Sequence, residues 1–248
     1  MSGFNLKPKQ ASMVWLEPHR LQVGGKLRAL QGAPAEAVLA EALAATAPGP
    51  THWVVDDAWV PSLLMRDIVE IPAGAEAREA FFRWRFSQSL ATDAPQYVQA
   101  LGLGDHAWLL AGMAQELRET WLAAAGAAGH SIRSLVPRWL WLYNRLAPSR
   151  QTPGLLLSLC PVGRDERGEE LYSGTLAAWG RELILLRQWT DPATPDSWNQ
   201  ERVLPTVAYL QRDARTPQDL HLWGALRWPQ GPVPVQILPP QIPEQESC

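Results

Sequence analysis

The chain has 248 residues, 46% of them apolar and 19% charged, which marks a globular protein with enough length to bury one large core or two smaller ones. Its formal charge of −3 provides no positive field to gather nucleic acid or anionic lipid. Two cysteines, one in an apolar run and one at the last position, exclude a disulfide framework and a cysteine-based zinc site. No run approaches the ~18 uninterrupted apolar residues of a membrane span. Met1–Gln10 carries two lysines but no apolar h-region, so it is not read as a secretory signal, and a cytoplasmic protein is expected. Thirteen tryptophans against four phenylalanines and four tyrosines are unusual. Large amphipathic rings in that number serve cores and also interface hot spots.

Residues 1–11 read as a polar arm. Ser12–Leu16 and Arg20–Leu30 read as the two strands of a hairpin turned at Glu17-Pro18-His19, with Gly24-Gly25 a bulge or a second bend. Pro34 opens a helix whose Val38, Leu39, Ala42 and Leu43 share a face, and Pro48-Gly49-Pro50 ends it. Extended apolar runs follow at Trp53–Val55 and Ser62–Ile71, then an amphipathic, aromatic-rich helix over Glu76–Leu90. On that helix Phe82, Phe86 and Leu90 recur at i, i+4, i+8, while Ala77, Phe81 and Trp84 fall on the opposite side. One stripe suffices for a core; the other is either covered by the same domain or left as a groove for a partner segment.

A β-ribbon with a Gly102-Leu103-Gly104-Asp105 turn comes next, then a strand at Ala107–Ala114, an alanine-rich helix over Glu116–Ala125, and a strand–proline–helix unit over Ser131–Leu146. In that last helix Leu135, Trp139, Leu142, Tyr143 and Leu146 are expected inside, and Arg138, Trp141 and Arg145 together outside. An exposed Trp between two arginines is either a self-contained cation–π stack or a hot spot. A second half begins near Gly154 with Leu155–Leu159, a charged turn at Arg164–Glu170, and strands at Leu171–Trp179 and Glu182–Trp189. A helix between Pro195 and Arg212 is expected to break at Pro205, a last strand covers Leu220–Trp228, and the proline-rich tail from Pro229 is expected to be extended or mobile. Hairpin–helix–strand, an inserted module, then hairpin–helix–strand is a duplicated α/β plan with two lobes. The divisions are 12–51 and 131–153 for the first lobe, 52–130 for the insert, 154–228 for a reduced second lobe and 229–248 for the tail.

Catalytic strings are missing. The chain has no phosphate-binding Gly-x-x-x-x-Gly-Lys-Ser/Thr loop, no Gly-x-Ser-x-Gly elbow and no His-Glu-x-x-His zinc helix. His19, His52, His106, His130 and His221 are scattered and read as surface or turn residues rather than metal ligands. Asp56-Asp57, adjacent on a strand, would point to opposite faces, so a turn or helix-cap role is expected rather than an acid/base pair. Glu169-Glu170 reads as a solvated turn. Arg83, Arg85, Arg138 and Arg145 next to aromatic rings raise a nucleic-acid reading, which the acidic balance opposes.

The order and spacing over 52–147, with the phrases Phe81-Phe82-Arg83-Trp84 and Ala127-Ala128-Gly129 before a strand, resemble the central region of the actin-like assembly proteins of bacterial pili and secretion machines, the PilM, MshI and GspL families. The resemblance covers most of 12–228. It implies a ribonuclease H-like, actin-like fold with an inserted α+β module and a reduced second lobe.

In actin-like ATPases one β-hairpin per lobe pinches the phosphates, each with an Asp-x-Gly-Ser/Thr type of loop. Laid on this chain, the first falls on Trp15-Leu16-Glu17-Pro18 and the second on Ser158-Leu159-Cys160-Pro161. Both lack the Asp and the Gly and carry a proline, which donates no N–H to an anion. The adenosine-side glycine cluster falls near Trp223-Gly224-Ala225, with one glycine left. A pseudo-ATPase without cofactor or metal is expected. The family's partner groove falls at Phe82-Arg83-Trp84-Arg85, with Arg85 where many members carry an acid. The implied role is a non-catalytic cytoplasmic scaffold of a type IV pilus or type II secretion-like assembly. It would be recruited to the inner membrane by the short cytosolic segment of a PilN-like protein and would pass contact to an assembly ATPase. The alternative is an actin-like nucleotide-binding protein with altered loops. A third, an unrelated α/β hydrolase, would need converging side chains that the sequence does not offer.

Overall fold

The structure, a computed structural model, describes residues 11–238 apart from 33, 69, 91, 93, 105, 147–151, 213–214, 225–226 and 231–232. The polar arm over 1–10, Asp105, Ala225, Pro232 and the end of the tail (Pro239, Pro240, Pro243, Cys248) lie outside the described residues. The chain divides into two compact units. One holds the chain up to Asp56 together with Gln115–Val136, and the other holds Asp57–Ala114 together with the chain from Pro137.

The first unit is built on a five-stranded sheet in the order β3-β2-β1-β4-β8. Strand β1 (Ser12–Glu17) is buried from Val14 onward, the continuous burial of a central strand. It runs antiparallel to β2 (Arg20–Val23) and parallel to β4 (Pro50–Val55), with Trp15 opposite Val54. β3 (Lys26–Ala29) follows β2 through Gly24 (φ +53°) and Gly25 (φ +80°). Two positive φ values in a two-residue loop are what a tight hairpin demands, so of the two readings of Gly24-Gly25 the second bend holds, and it divides Arg20–Leu30 into two strands. Helix α1 (Glu36–Ala44) buries Leu39, Ala42 and Leu43 and packs on α3 (Gln115–Ala127), which buries Trp121, Ala124 and Ala125. Val38, expected inside, stands at the helix edge, 36% exposed. Trp53 of β4 lies 5.8 Å from the Trp121 ring. His130, ahead of β8 (Ser131–Pro137), sits within hydrogen-bond reach of the Leu43 and Gly49 carbonyls and Thr46 Oγ1, a turn histidine that takes up helix-end acceptors.

The second unit repeats the same sheet order. β11 (Leu183–Ala193), β10 (Glu170–Trp179) and β9 (Gly154–Arg164) are antiparallel neighbours, and β12 (Asp219–Trp223) and β13 (Val235–Ile237) continue in parallel. One face of this sheet, carrying Leu155, Leu157, Leu159, Leu176, Leu220 and Leu222, packs on Trp198, Val203, Val207 and Leu210. Those side chains come from one continuous helical rod: α5 (Pro195–Ser197), a π-helical stretch Trp198–Val203, and α6 (Leu204–Arg212). Thr194 caps its start with Pro195 at the first position. The expected break at Pro205 does not occur. The preceding turns widen to i→i+5 bonding, with Leu204 N–H donating to Asn199 O, and so absorb the proline without ending the rod. The last strand stops at Trp223 rather than Trp228, and part of the expected loose tail, Val235–Ile237, is a paired strand.

The same unit carries a three-stranded antiparallel sheet in the order β5-β7-β6. β5 is Ser62–Met65, shorter than the expected Ser62–Ile71; β6 is Gln96–Gly102 and β7 is Trp108–Ala114. Helix α2 (Ala75–Leu90) lies on it through Phe82 and Phe86, which pack with Met65 and Leu110. Gly112 admits the Phe86 ring so closely that a Cβ there would meet it at 2.6 Å. The apolar strand β4 and the helix α3, which bound the 52–130 stretch, belong to the first unit, and the sheet with α2 to the second.

Candidate partner-binding surface

Helix α2 sorts its rings by depth. Phe86 and Phe82 are buried, Phe81 is half-buried, and Trp84 is 55% exposed. Leu90, expected in the inner stripe, is 41% exposed at the helix end, where the sheet no longer covers it. The Arg85 guanidinium stands over two rings, 5.3 Å from the Trp84 centroid and 5.7 Å from Phe81. Arg83 donates to Glu79 one turn earlier at 2.6 Å. Phe81, Trp84 and Arg85 therefore form one basic–aromatic ridge, with Arg83 held beside it. Of the two readings of the outer stripe, Phe81 is shared with the core and Trp84 is left to solvent. Positive charge at Arg85 suits a carboxylate or a carbonyl, not a second cation.

Helix α4 (Arg138–Arg145) departs from expectation at its first residue. Arg145 is exposed and stacks on half-buried Trp141 at 4.7 Å. Arg138 is not on that surface: it is 1% exposed. Its Nε donates to Ser158 Oγ at 2.9 Å, and its Nη2 lies 3.9 Å from Asp57 Oδ2. The other Asp57 oxygen, Oδ1, accepts from the Trp139 backbone N–H at 2.9 Å. Asp57 thus caps the helix start from a distant point of the chain and balances the charge beside it. Helical spacing puts Arg138 in line with Trp141 and Arg145, but a first-turn residue near buried Asp57 is drawn inward. Asp57 takes the helix-cap role expected of the Asp56-Asp57 pair, while Ser158 as an acceptor is a role that spacing alone could not supply.

The two stretches expected to correspond to phosphate loops have different local structures. Trp15 lies within the buried strand β1, and its Nε1 donates to Glu17 Oε1 at 3.0 Å. Glu17, 2% exposed, also accepts from Arg20 through both Nε and Nη2, and His19 Nε2 lies 3.8 Å from its Oε2. The Pro18 carbonyl accepts from Gly32 N–H. This turn holds its carboxylate against its own arginine and indole. The second stretch is not a turn. Ser158, Leu159, Cys160 and Pro161 lie within β9 and pair with Thr175, Gly174, Ser173 and Tyr172 of β10. The reversal comes later, at Asp165–Glu169, and it holds an Asp and, at Gly168, a φ of +81°. Asp165 Oδ1 there accepts from the N–H groups of Arg167 and Glu169 at 2.8 and 2.9 Å, while Arg164 donates to the Gly168 carbonyl and pairs with Glu170. Ser158–Pro161 has neither Asp nor Gly, whereas this later reversal, read from sequence only as a charged turn, carries both, with its carboxylate occupied by its own backbone.

Gly224, expected as the remnant of a glycine cluster, follows β12 with φ +98°. A Cβ at this position would lie 2.0 Å from the Leu159 carbonyl oxygen, so the backbone of β9 itself demands the glycine. Among the described residues no group of three or more His, Cys, Asp or Glu is placed to hold a metal ion. Among them, too, no helix is long and apolar enough to cross a membrane.

Two further buried polar groups shape the second unit. The His221 ring stacks on Trp179 at 5.8 Å, and burial lowers its pKa against the opposing pull of Asp219. Arg202, in the π-helical stretch, lies between Trp198 (4.0 Å) and Trp189 (5.3 Å) and donates to the Asp191 carbonyl. Burial lowers its pKa, and the charges of Glu201 and Asp191 partly offset this.

No family model and no curated protein matches the chain. Solved structures do. The cytoplasmic domain of EpsL, an inner membrane component of the type II secretion system of Vibrio cholerae, matches at 12% identity with a TM-score of 0.52, over 94% of this chain and 90% of that one. A PilM–PilN type IV pilus biogenesis complex matches at 14% identity with a TM-score of 0.54, over 88% of this chain and 82% of the other. The chain has the fold of the PilM- and GspL-type actin-like proteins, with duplicated α/β sheets and an inserted α+β module.

Proposed function

We propose that this protein is a non-catalytic scaffold of a type IV pilus or type II secretion-like assembly, which binds the cytosolic segment of a PilN-like inner-membrane protein. The observation that carries the reading is the basic–aromatic ridge of α2, where Trp84 is exposed beside Arg85 on a helix otherwise fixed to its sheet. An exposed indole flanked by arginine is the composition that dominates binding energy at interfaces. The fold shared with a PilM–PilN complex supports a membrane-anchored partner of that kind, and the likeness to the cytoplasmic domain of EpsL supports a cytoplasmic location as part of the same proposal. Contact with an assembly ATPase belongs to the same proposal.

The absence of catalysis is part of the proposal. It draws on the Trp15–Pro18 stretch, whose one carboxylate is tied to Arg20 and the indole, and on Pro18, which offers no N–H. The second reading, a nucleotide-binding protein with altered loops, draws on the Asp165–Gly168 turn, which keeps both an acid and a left-handed glycine. Isothermal titration separates the two. A synthetic peptide of the PilN-like protein's cytosolic segment is expected to bind at micromolar concentrations, and about thirtyfold or more weakly to Trp84→Ala. Mg-ATP is expected to give no saturable heat. Saturable Mg-ATP binding that Asp165→Asn abolishes would replace the first reading with the second.

A further inference from the structure

Among the described residues, sheet edges are guarded with one exception. The outer strands β3 and β11 carry charges (Lys26 and Arg28; Arg187 and Asp191), and β11 adds Pro192. β8 carries Arg133 and Pro137, β13 is three residues long, and β5 spends the Ser62 N–H on the Gln188 side chain at 2.7 Å. Charge, proline and shortness are the usual defences of an edge against further pairing. β6 has none of them. Its seven residues, Gln-Tyr-Val-Gln-Ala-Leu-Gly, are uncharged and free of proline, and Gln99 to Gly102 are exposed, with Leu101 57% exposed. Every second residue of an edge strand turns its N–H and C=O outward, so a row of backbone donors and acceptors faces away from β7.

Beside this edge lies a cleft of about 310 Å³ between the first turns of α2 and the sheet, lined by Arg78, Glu79, Phe82, Val98, Ala100 and Trp108. Its floor is aromatic, with the Phe82 and Trp108 rings 4.7 Å apart. Its two charges are unequal in freedom. Glu79 is engaged by Arg83, whereas Arg78 makes no ion pair among the described residues. The cleft thus presents one free positive charge over an apolar floor.

We propose that β6 receives an extended peptide as a fourth strand of this sheet. The guest places a bulky apolar side chain in the cleft over Phe82 and Trp108 and an acidic side chain toward Arg78. Main-chain pairing supplies affinity in such strand addition, and the pockets for alternate side chains supply selectivity. The site lies wholly on α2, β6 and β7 and does not require the assembly reading or the Trp84 ridge.

The test is a random dodecapeptide library displayed on phage and selected on the full chain, with the winners made synthetically. Selected peptides are expected to alternate apolar residues and to carry an Asp or Glu. Their affinity should fall about tenfold or more for Ala100→Lys and for Arg78→Glu, with melting temperatures unchanged. On binding, amide exchange should slow at Gln96–Gly102. Three results would overturn the proposal: no selected peptide, equal binding to Ala100→Lys, or protection elsewhere than β6. Sedimentation of the free chain as a dimer that Ala100→Lys dissociates would also overturn it, by giving the edge to a second copy. A peptide that binds β6 but is indifferent to Trp84→Ala separates this site from the scaffold surface.

Discussion

Arg138 donates from Nε to the Ser158 hydroxyl at 2.9 Å and holds its Nη2 3.9 Å from Asp57, so a buried guanidinium joins the start of α4, the start of the inserted module and the central strand β9. Three distant parts of the sequence meet on one charge. A buried ion pair adds little net stability against an apolar replacement of like shape, but removing one partner leaves the other charge buried and uncompensated. Arg138→Ala is therefore expected to cost about 3–5 kcal/mol in urea unfolding, and Asp57→Ala a similar amount. Arg145→Ala, on the exposed side of the same helix, should cost within about 0.5 kcal/mol. Equal losses at 138 and 145 would contradict the burial of the first.

Two glycines with positive φ make a second comparison. At Gly224 (φ +98°) a Cβ would stand 2.0 Å from the Leu159 carbonyl oxygen, and neither strand is free to move away. At Gly168 (φ +81°), in the exposed β9–β10 turn, nothing lies within 4 Å of the same added atom. Gly168→Ala pays only for its backbone conformation, about 1–2 kcal/mol. Gly224→Ala pays that and the displacement of β9, so its loss should be at least twice as large, or the chain should fail to accumulate. Thermal melts of the two variants side by side check this.

The fold was legible where periodicity and punctuation agree. Ser12–Leu16 and the helix over Glu76–Leu90 carry an apolar rhythm that local rules read to within one residue of the observed Ser12–Glu17 and Ala75–Leu90, whereas only Leu155–Leu159 of the observed strand Gly154–Arg164 was read as an extended run. Pro205 was misread because a proline removes one i→i+4 bond, and a widened turn ahead of it is a tertiary solution invisible in propensity. Val235–Ile237 was missed because three residues between prolines form a strand only once β12 is there to pair with. Of the candidate surface, Trp84 and Arg85 could be placed by helical angle alone. Arg138 could not, because its inward turn depends on Asp57, 81 positions away. Ser158–Pro161, laid on a phosphate loop by analogy, is strand rather than turn for a related reason. A strand of eleven residues carries its reversal beyond the point where sequence analogy set it.

His221 offers a pH readout. It is 4% exposed and stacked on Trp179, and burial lowers its pKa below the ordinary histidine value, with Asp219 opposing. The folded state therefore holds the ring neutral at a pH where the unfolded chain has begun to protonate it. The stability that this group contributes is complete above the unfolded pKa of about 6.5 and is lost as pH falls below it, down to its lower folded value. The slope from this one proton has a ceiling of about 1.4 kcal/mol per pH unit. His221→Phe, which keeps a ring against Trp179, should flatten the decline in melting temperature between pH 7 and pH 5. An unchanged slope in the variant would assign the decline to other groups.

Phe82 and Trp84 lie two positions apart on α2 and should respond in opposite ways. Phe82 is 4% exposed, packed in the cluster with Met65, Phe86 and Leu110, and its ring stands 4.7 Å from that of Trp108. Truncation to Ala removes an aromatic ring from a filled site and is expected to cost about 3–5 kcal/mol. The Trp84 ring is 55% exposed and touches chiefly Phe81 and the Arg85 guanidinium, so Trp84→Ala should cost no more than about 1 kcal/mol, the worth of an exposed cation–π contact. If the ridge serves a partner, the same variant should weaken that complex by about 2 kcal/mol or more, the scale of a hot-spot tryptophan. Stability and affinity thus separate on one helix: unfolding curves should single out Phe82, and titration with the partner's cytosolic segment should single out Trp84. A Trp84→Ala protein that binds like the wild type would leave the ridge as a self-contained stack and remove the main support for a scaffold surface on α2.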